Sequence, residues 1–219
     1  MKGSPALRIG SRTSVRLIKV VLWPLCLAPF IFLLLAAFQL AGFELGANPV
    51  EEILHTLGKW GLKFLLITLA ITPLRRWTGL NWLMSFRRML GLFAFFYILM
   101  HFLTYFVLDQ SLDLDAVIED ILERPYITLG MSGLILMLPL ALTSTRGMMR
   151  RLGRRWKQLH KLVYVIAILG VWHFYWQVKL DTLEPTLYAI ILTVLLGARL
   201  WFKRQQSRRL RKTATRNSE

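Results

Sequence analysis

WKQLHKLVYVIAILGVWHFYW, from Trp156 to Trp176, is the stretch that decides the fold. It leaves a basic cluster, enters an uncharged apolar run at Leu162, and carries two histidines, His160 and His173, thirteen residues apart. On a helix that spacing is about 20 Å of rise, well over half of a hydrocarbon core about 30 Å thick. Ionisable side chains are costly at membrane depth and mark function there. The stretch therefore reads as a membrane-spanning helix with one imidazole near one face and the second toward the other.

Outward from this helix the same pattern recurs. The chain has 219 residues, 55% of them hydrophobic, and its apolar runs are each long enough to cross a bilayer. Six spans are expected, at roughly 20–41, 57–74, 89–108, 126–143, 161–179 and 185–202. The fold class is an all-α membrane protein, a six-transmembrane-helix bundle. The N-terminus imitates a signal peptide, but its apolar run is too long for one and reads as a retained first span. Pro24, Pro29, Pro73 and Pro139 fall within or at the ends of spans, where neighbouring helices can satisfy the freed carbonyls. A single cysteine, Cys26, rules out an internal disulfide, and no C-x-x-C-H occurs for covalent haem attachment.

Charge sets the expected orientation. Basic residues precede span one (Lys2, Arg8, Arg12, Arg16, Lys19) and separate spans two and three (Arg75, Arg76, Arg87, Arg88). They recur between spans four and five (Arg146, Arg150, Arg151, Arg154, Arg155, Lys157, Lys161) and in the tail after Lys203. The alternate segments hold Glu44, Glu51 and Glu52, then Asp109 to Glu123, then Asp181 and Glu184. Lys/Arg bias puts both termini in the cytoplasm and the acidic loops outside. Three parts follow: a basic N-terminus 1–19, a transmembrane domain 20–202 and a basic tail 203–219, either frayed or held on anionic lipid headgroups. The net charge of +16 is thus accounted for by topology, and nucleic acid is not an expected partner. No nucleotide-binding pattern appears. The loop 109–125 admits two readings: an interfacial helix with Leu112, Val117, Ile118, Ile121 and Leu122 on one face, or a solvated acidic loop. No internal repeat stands out, although spans three and five share a histidine followed by aromatics (MHFLTYF and WHFYWQV).

The histidines carry the chemistry. His101 lies thirteen residues past Arg88 and eight before Asp109; His173 lies twelve past Lys161 and eight before Asp181. Both imidazoles thus fall at one depth, roughly 12 Å below the outer boundary. Two such rings on neighbouring helices suit axial ligation of a haem iron, and Phe95, Phe96, Tyr97, Phe102, Tyr105, Trp172, Phe174 and Trp176 supply an aromatic shell. The plainer alternative is two unrelated histidines that bond to backbone within the bundle. His160 stands at the cytoplasmic edge, either as a solvated interfacial residue or as a ligand of an inner site, with Arg87 and Arg88 at its depth to meet propionates. His55 reads as an interfacial residue. Lys59 and Lys63 reach headgroups, propionates or an acidic partner surface.

Six spans, a histidine on span three and two histidines thirteen apart on span five resemble the ferric reductase-like transmembrane domain superfamily. RRMLGLFAFFYILMHFLTYF, RRWKQLHKLVYVIAILGVWHFYW and NPVEEILHTLGKWGLKFLLITLAITPLRR are similar, within it, to the haem-binding membrane subunits of periplasmic methionine sulfoxide reductase systems. That resemblance implies b-type haem (one or two), an associated flavin mononucleotide, and His101, His160 and His173 as ligand candidates. It implies location in the bacterial inner membrane, electrons drawn from quinol or a flavin reductase, and a periplasmic molybdopterin catalytic subunit as partner. Two departures from the superfamily stand out. Arg87 occupies the place of a second span-three histidine, fourteen residues before His101, and the C-terminal flavin and nicotinamide domain is absent from this chain. The competing expectations are a stand-alone ferric or metal reductase and a transporter or proton channel with a histidine relay.

Overall fold

The computed structural model describes residues 10–178 and 182–216, with side chains to 208. Lys2, Arg8 and Asp181 lie outside the described residues, as does the very end of the tail. The chain forms α1 (Arg12–Ala37), α2 (Pro49–Thr78), α3 (Arg87–Thr104), α4 (Leu114–Glu123) and α5 (Pro125–Leu142). Two short helices follow, α6 (Arg146–Leu152) and α7 (Arg154–Leu159), then α8 (Leu162–Gln177) and α9 (Leu183–Arg216). No strand occurs among the described residues. Among the described residues six stretches are long and apolar enough to cross a membrane, as expected: α1, α2, α3 with its continuation to Asp109, α5, Arg154–Gln177, and α9 to Arg208.

Boundaries follow local chemistry. α2 opens with Asn48 as cap, Pro49 in its first turn, and Glu51 and Glu52 beside the positive end of the helix dipole. It closes with Arg75 and Arg76 and a left-handed Gly79 at φ 73°. α1 begins at Arg12, capped by the Ser11 hydroxyl on Ser14 N–H, so its first two turns are basic. It ends four residues sooner than the apolar run, because Gln39 (φ 51°) and Ala41 (φ 55°) turn the chain back. α9 instead continues as a helix well past residue 202, carried by Lys, Arg and Gln, which all favour helix.

The core is two antiparallel pairs, α2 with α3 and α5 with α8, packed on each other, with α9 against α2 and α8. Leu57, Leu65 and Leu69 of α2, Ala94 and Tyr97 of α3, and Ile166 and Ala167 of α8 are almost wholly enclosed. The apolar residues left outside, such as Val20, Val21 and Leu25 on α1 and Ile190, Val194 and Leu200 on α9, form the face that lipid covers.

The Tyr97 hydroxyl fastens α1 at Pro29. Pro29 interrupts the helix, and the normal bond from Phe30 N–H to Cys26 C=O is opened by the Tyr97 hydroxyl. That hydroxyl donates to Cys26 O at 2.8 Å and accepts from Phe30 N–H at 3.1 Å. A side chain inserted in the ladder satisfies both backbone groups where no water reaches.

The acidic loop folds as a helix rather than remaining irregular. Asp113 caps α4 through Asp115 and Ala116 N–H, and Val117 and Asp120 face the protein. Asp120 gathers the Tyr105 hydroxyl (2.7 Å), Gln110 (2.9 Å) and Arg124 (3.1 Å). The expected apolar face is rotated: Ile118 and Leu122 are exposed, in line with Leu114 at four-residue spacing, because the polar cluster claims the inward side.

Candidate functional site

His101 comes from α3 and His173 from α8, the second members of the two pairs. Their rings face one another with centroids 6.2 Å apart and planes at 79°. Two imidazoles bound to one metal at about 2.0 Å per Fe–N bond, each ring centre about 1.2 Å behind its nitrogen, would stand roughly 6.4 Å apart. The observed separation is close to that, so the two residues could hold one metal ion between them.

Each ring is held from behind. His101 Nδ1 lies 2.9 Å from Leu54 O and His173 Nδ1 lies 2.6 Å from Tyr126 O. A carbonyl only accepts, so both Nδ1 atoms carry the proton and both Nε2 lone pairs are free. That is the tautomer a metal-binding imidazole adopts when a backbone carbonyl orients it. Among the described residues no three His, Cys, Asp or Glu side chains come together to hold a metal ion. Two lone imidazoles thus suit an iron whose other ligands arrive with it, as a porphyrin supplies. The alternative of histidines bonded to backbone is realised here; a bond of that kind is also how a ligating imidazole is oriented.

His160 is placed differently. The helix is interrupted at His160 and Lys161, between α7 and α8, so the imidazole sits at a turn at the basic end. Its Nε2 lies 3.2 Å from the Thr143 hydroxyl, which itself donates to Pro139 O at 2.6 Å. The hydroxyl proton is thus committed, so Nε2–H of His160 donates and Nδ1 is the free atom. Trp156 stacks on the ring at 4.0 Å and donates its indole N–H to Thr143 O. Arg87 is within electrostatic reach of His160, whereas Arg88 is exposed. His55 bonds to Gln177 at 2.7 Å, Lys59 pairs with Glu184 at 2.6 Å, and Lys63 lies over Trp60. His55 and Lys59 thus tie α2 to α8 and α9, whereas Lys63 lies over a residue of its own helix.

The sequence reading passed over Arg199, an arginine inside an apolar run that binds the Tyr164 hydroxyl and Leu69 O. It also passed over an internal repeat. TLGKWGL (56–62) on α2 and TLGMSGL (128–134) on α5 share five of seven residues at an offset of 72, the same offset that separates His101 from His173. The signal was present but short, and it lies one helix away from the histidines.

Fold and site together define a multi-pass helical membrane protein with a two-histidine centre inside its bundle. A model of the ferric reductase like transmembrane component family matches residues 57–171. The chain is 47% identical to a protein of Ralstonia nicotianae over 86% of this chain and 87% of that one. It is 51% identical to one of Xanthomonas oryzae pv. oryzae (87% and 89%) and 47% identical to one of Herminiimonas arsenicoxydans (93% and 95%). Each of the three is named protein-methionine-sulfoxide reductase heme-binding subunit MsrQ. The chain belongs to the ferric reductase-like transmembrane family and, within it, to the MsrQ group.

Proposed function

We propose that this protein holds a b-type haem between His101 and His173 and carries electrons across the bacterial inner membrane to a periplasmic methionine sulfoxide reductase. The observation that carries this reading is the facing pair of imidazoles, 6.2 Å apart, each with Nδ1–H fixed on a carbonyl. Bound there, the haem iron would supply a one-electron relay. The protein's part is to present two neutral nitrogen ligands, hold their rings, and keep water away with Phe102, Tyr126 and the surrounding apolar side chains. Rigid ligands change little between two oxidation states, which keeps transfer fast.

The basic end is read as cytoplasmic and as the entry side, at His160 with Arg87 and Arg88. Arg87 Nε and Arg199 Nε are buried there without a hydrogen-bond partner. Apart from Glu219, no carboxylate lies in the basic segments. A propionate, or the phosphate of flavin mononucleotide, would match that surplus of positive charge. Electrons come from quinol or from a flavin reductase. The groove that α1 leaves against α2, about 1020 Å3 and lined by Leu22, Leu33 and Phe64, suits a prenyl tail. The acceptor is the molybdopterin subunit, MsrP, docked on the acidic face. There two electrons and two protons convert each sulfoxide to a thioether and water, and catalysis on methionine sulfoxide resides in that subunit.

The test is a dithionite-reduced minus oxidised spectrum of the purified chain, with a pyridine haemochrome count. A b-type signal that disappears in His173→Ala is expected. A colourless protein after haem-supplemented expression overturns the reading in favour of a histidine relay in a transporter. Reduction of ferric chelates in vesicles without a partner would favour the stand-alone reductase.

A further inference from the structure

The outer site is built twice from one local pattern. Each histidine meets a carbonyl 47 residues earlier, Leu54 for His101 and Tyr126 for His173. One turn beyond each carbonyl stands a glycine, Gly58 on α2 and Gly130 on α5. A Cβ added at Gly58 would lie 3.2 Å from His101 Nδ1 and 3.3 Å from its Cε1. At Gly130 the corresponding distances to His173 are 3.0 and 3.1 Å. Other helical glycines differ: a Cβ at Gly61 would meet Ile98 at 2.6 Å, a helix-packing contact, whereas one at Gly133 comes no nearer than 4.0 Å, to Leu169, and one at Gly91 no nearer than 3.8 Å, to Thr68. Among the described glycines, only Gly58 and Gly130 give their side-chain space to an imidazole. Glycine inside a helix lowers its stability, so the two positions call for a reason beyond the helix.

We propose that Gly58 and Gly130 are positioning residues, matching floors of a duplicated clamp that lets each imidazole lie close enough to its helix for Nδ1–H to reach the carbonyl one turn away. The clamp fixes Nε2 toward the shared gap and sets how strongly each ring donates to a metal. This rests on the haem reading and goes beyond it, since it assigns the ligands' tuning to two residues that have no side chain.

The consequence can be worked out in sign. Alanine at 130 pushes the His173 ring outward by a few tenths of an ångström and stretches the bond to Tyr126 O. A weaker Nδ1 hydrogen bond makes the imidazole a poorer donor, so the ferric state loses more stabilisation than the ferrous and the reduction midpoint rises. At Gly58 the space is wider and the carbonyl bond longer, so the same substitution acts in the same direction and less.

The experiment is potentiometric titration of the purified, haem-loaded full chain, with low-temperature electron paramagnetic resonance of the ferric form. Gly130→Ala, Gly58→Ala, Gly133→Ala and Gly91→Ala are compared with the parent, and His101→Ala and His173→Ala accompany them. The expected order of positive midpoint shift is Gly130→Ala, then Gly58→Ala, with Gly133→Ala and Gly91→Ala at the parent value. Low-spin g values move only in the first two. Should Gly130→Ala fail to fold, Gly58→Ala carries the same test. If the histidine variants lose the haem while Gly58→Ala and Gly130→Ala match Gly133→Ala, the clamp is wrong and the haem reading stands. If the histidine variants keep the parent spectrum, the haem reading falls and the clamp with it.

Discussion

The two ends of the bundle hold histidine in opposite ways. At the acidic end His101 and His173 give up Nδ1–H to backbone carbonyls and leave Nε2 free. At the basic end His160 commits Nε2–H to Thr143 and lies against Trp156, leaving Nδ1. The first arrangement is a pair aimed at something shared; the second is a single ring with cations nearby. Backbone carbonyls cannot move without the helix, so the outer rings are fixed by the fold itself. A hydroxyl rotor and a stacked indole hold the inner ring with far less authority. The same residue type is therefore fixed by backbone at one end and held by side chains alone at the other.

The substitutions that break this contrast most sharply are at the outer pair. His101→Ala or His173→Ala is expected to weaken haem affinity by more than roughly 100-fold, the upper range for loss of an outer-shell partner alone. His160→Ala is expected to leave the low-spin outer spectrum in place; its disappearance would mean the two ends form one site. Next is Tyr97→Phe, which strands the Cys26 carbonyl and the Phe30 amide in an apolar setting. It should lower stability by about 1–3 kcal/mol, read as a fall in Tm in detergent, with haem content unchanged. Thr143→Val releases His160 Nε2 and should cost about 1 kcal/mol without any change at the outer pair; a shifted outer spectrum would reveal coupling. Smallest is Lys59→Met, which removes the half-exposed bridge to Glu184 and should change stability by at most about 1 kcal/mol, less at high salt.

Much of the fold was legible because membranes reward simple patterns. Apolar length gave six spans, and eight residues from an acidic boundary gave His101 and His173 equal depth. What stayed hidden was carried by atoms common to all residues. Leu54 and Tyr126 contribute carbonyl oxygens, so no side-chain signal announces them. Gly58 and Gly130 act by absence, and a glycine in a lipid-facing sequence usually reads as packing. Tyr97 was visible only as one aromatic among many; its hydroxyl matters because it bridges Cys26 O and Phe30 N–H beside Pro29, on another helix. α4 was ambiguous for a different reason: its inward side is polar, and apolar periodicity alone cannot tell which stripe faces protein.

The fastening of α1 also bears on biogenesis. Phe30 and Tyr97 are 67 residues apart in the chain. At roughly 5–20 residues per second of synthesis, α1 waits about 3–13 seconds for the hydroxyl that completes its ladder. Packing of α1 on α2 needs nothing made later, but the bridge at Phe30 and Cys26 is completed only once α3 exists, a late event that a ribosome-stalled chain ending before residue 97 would not reach.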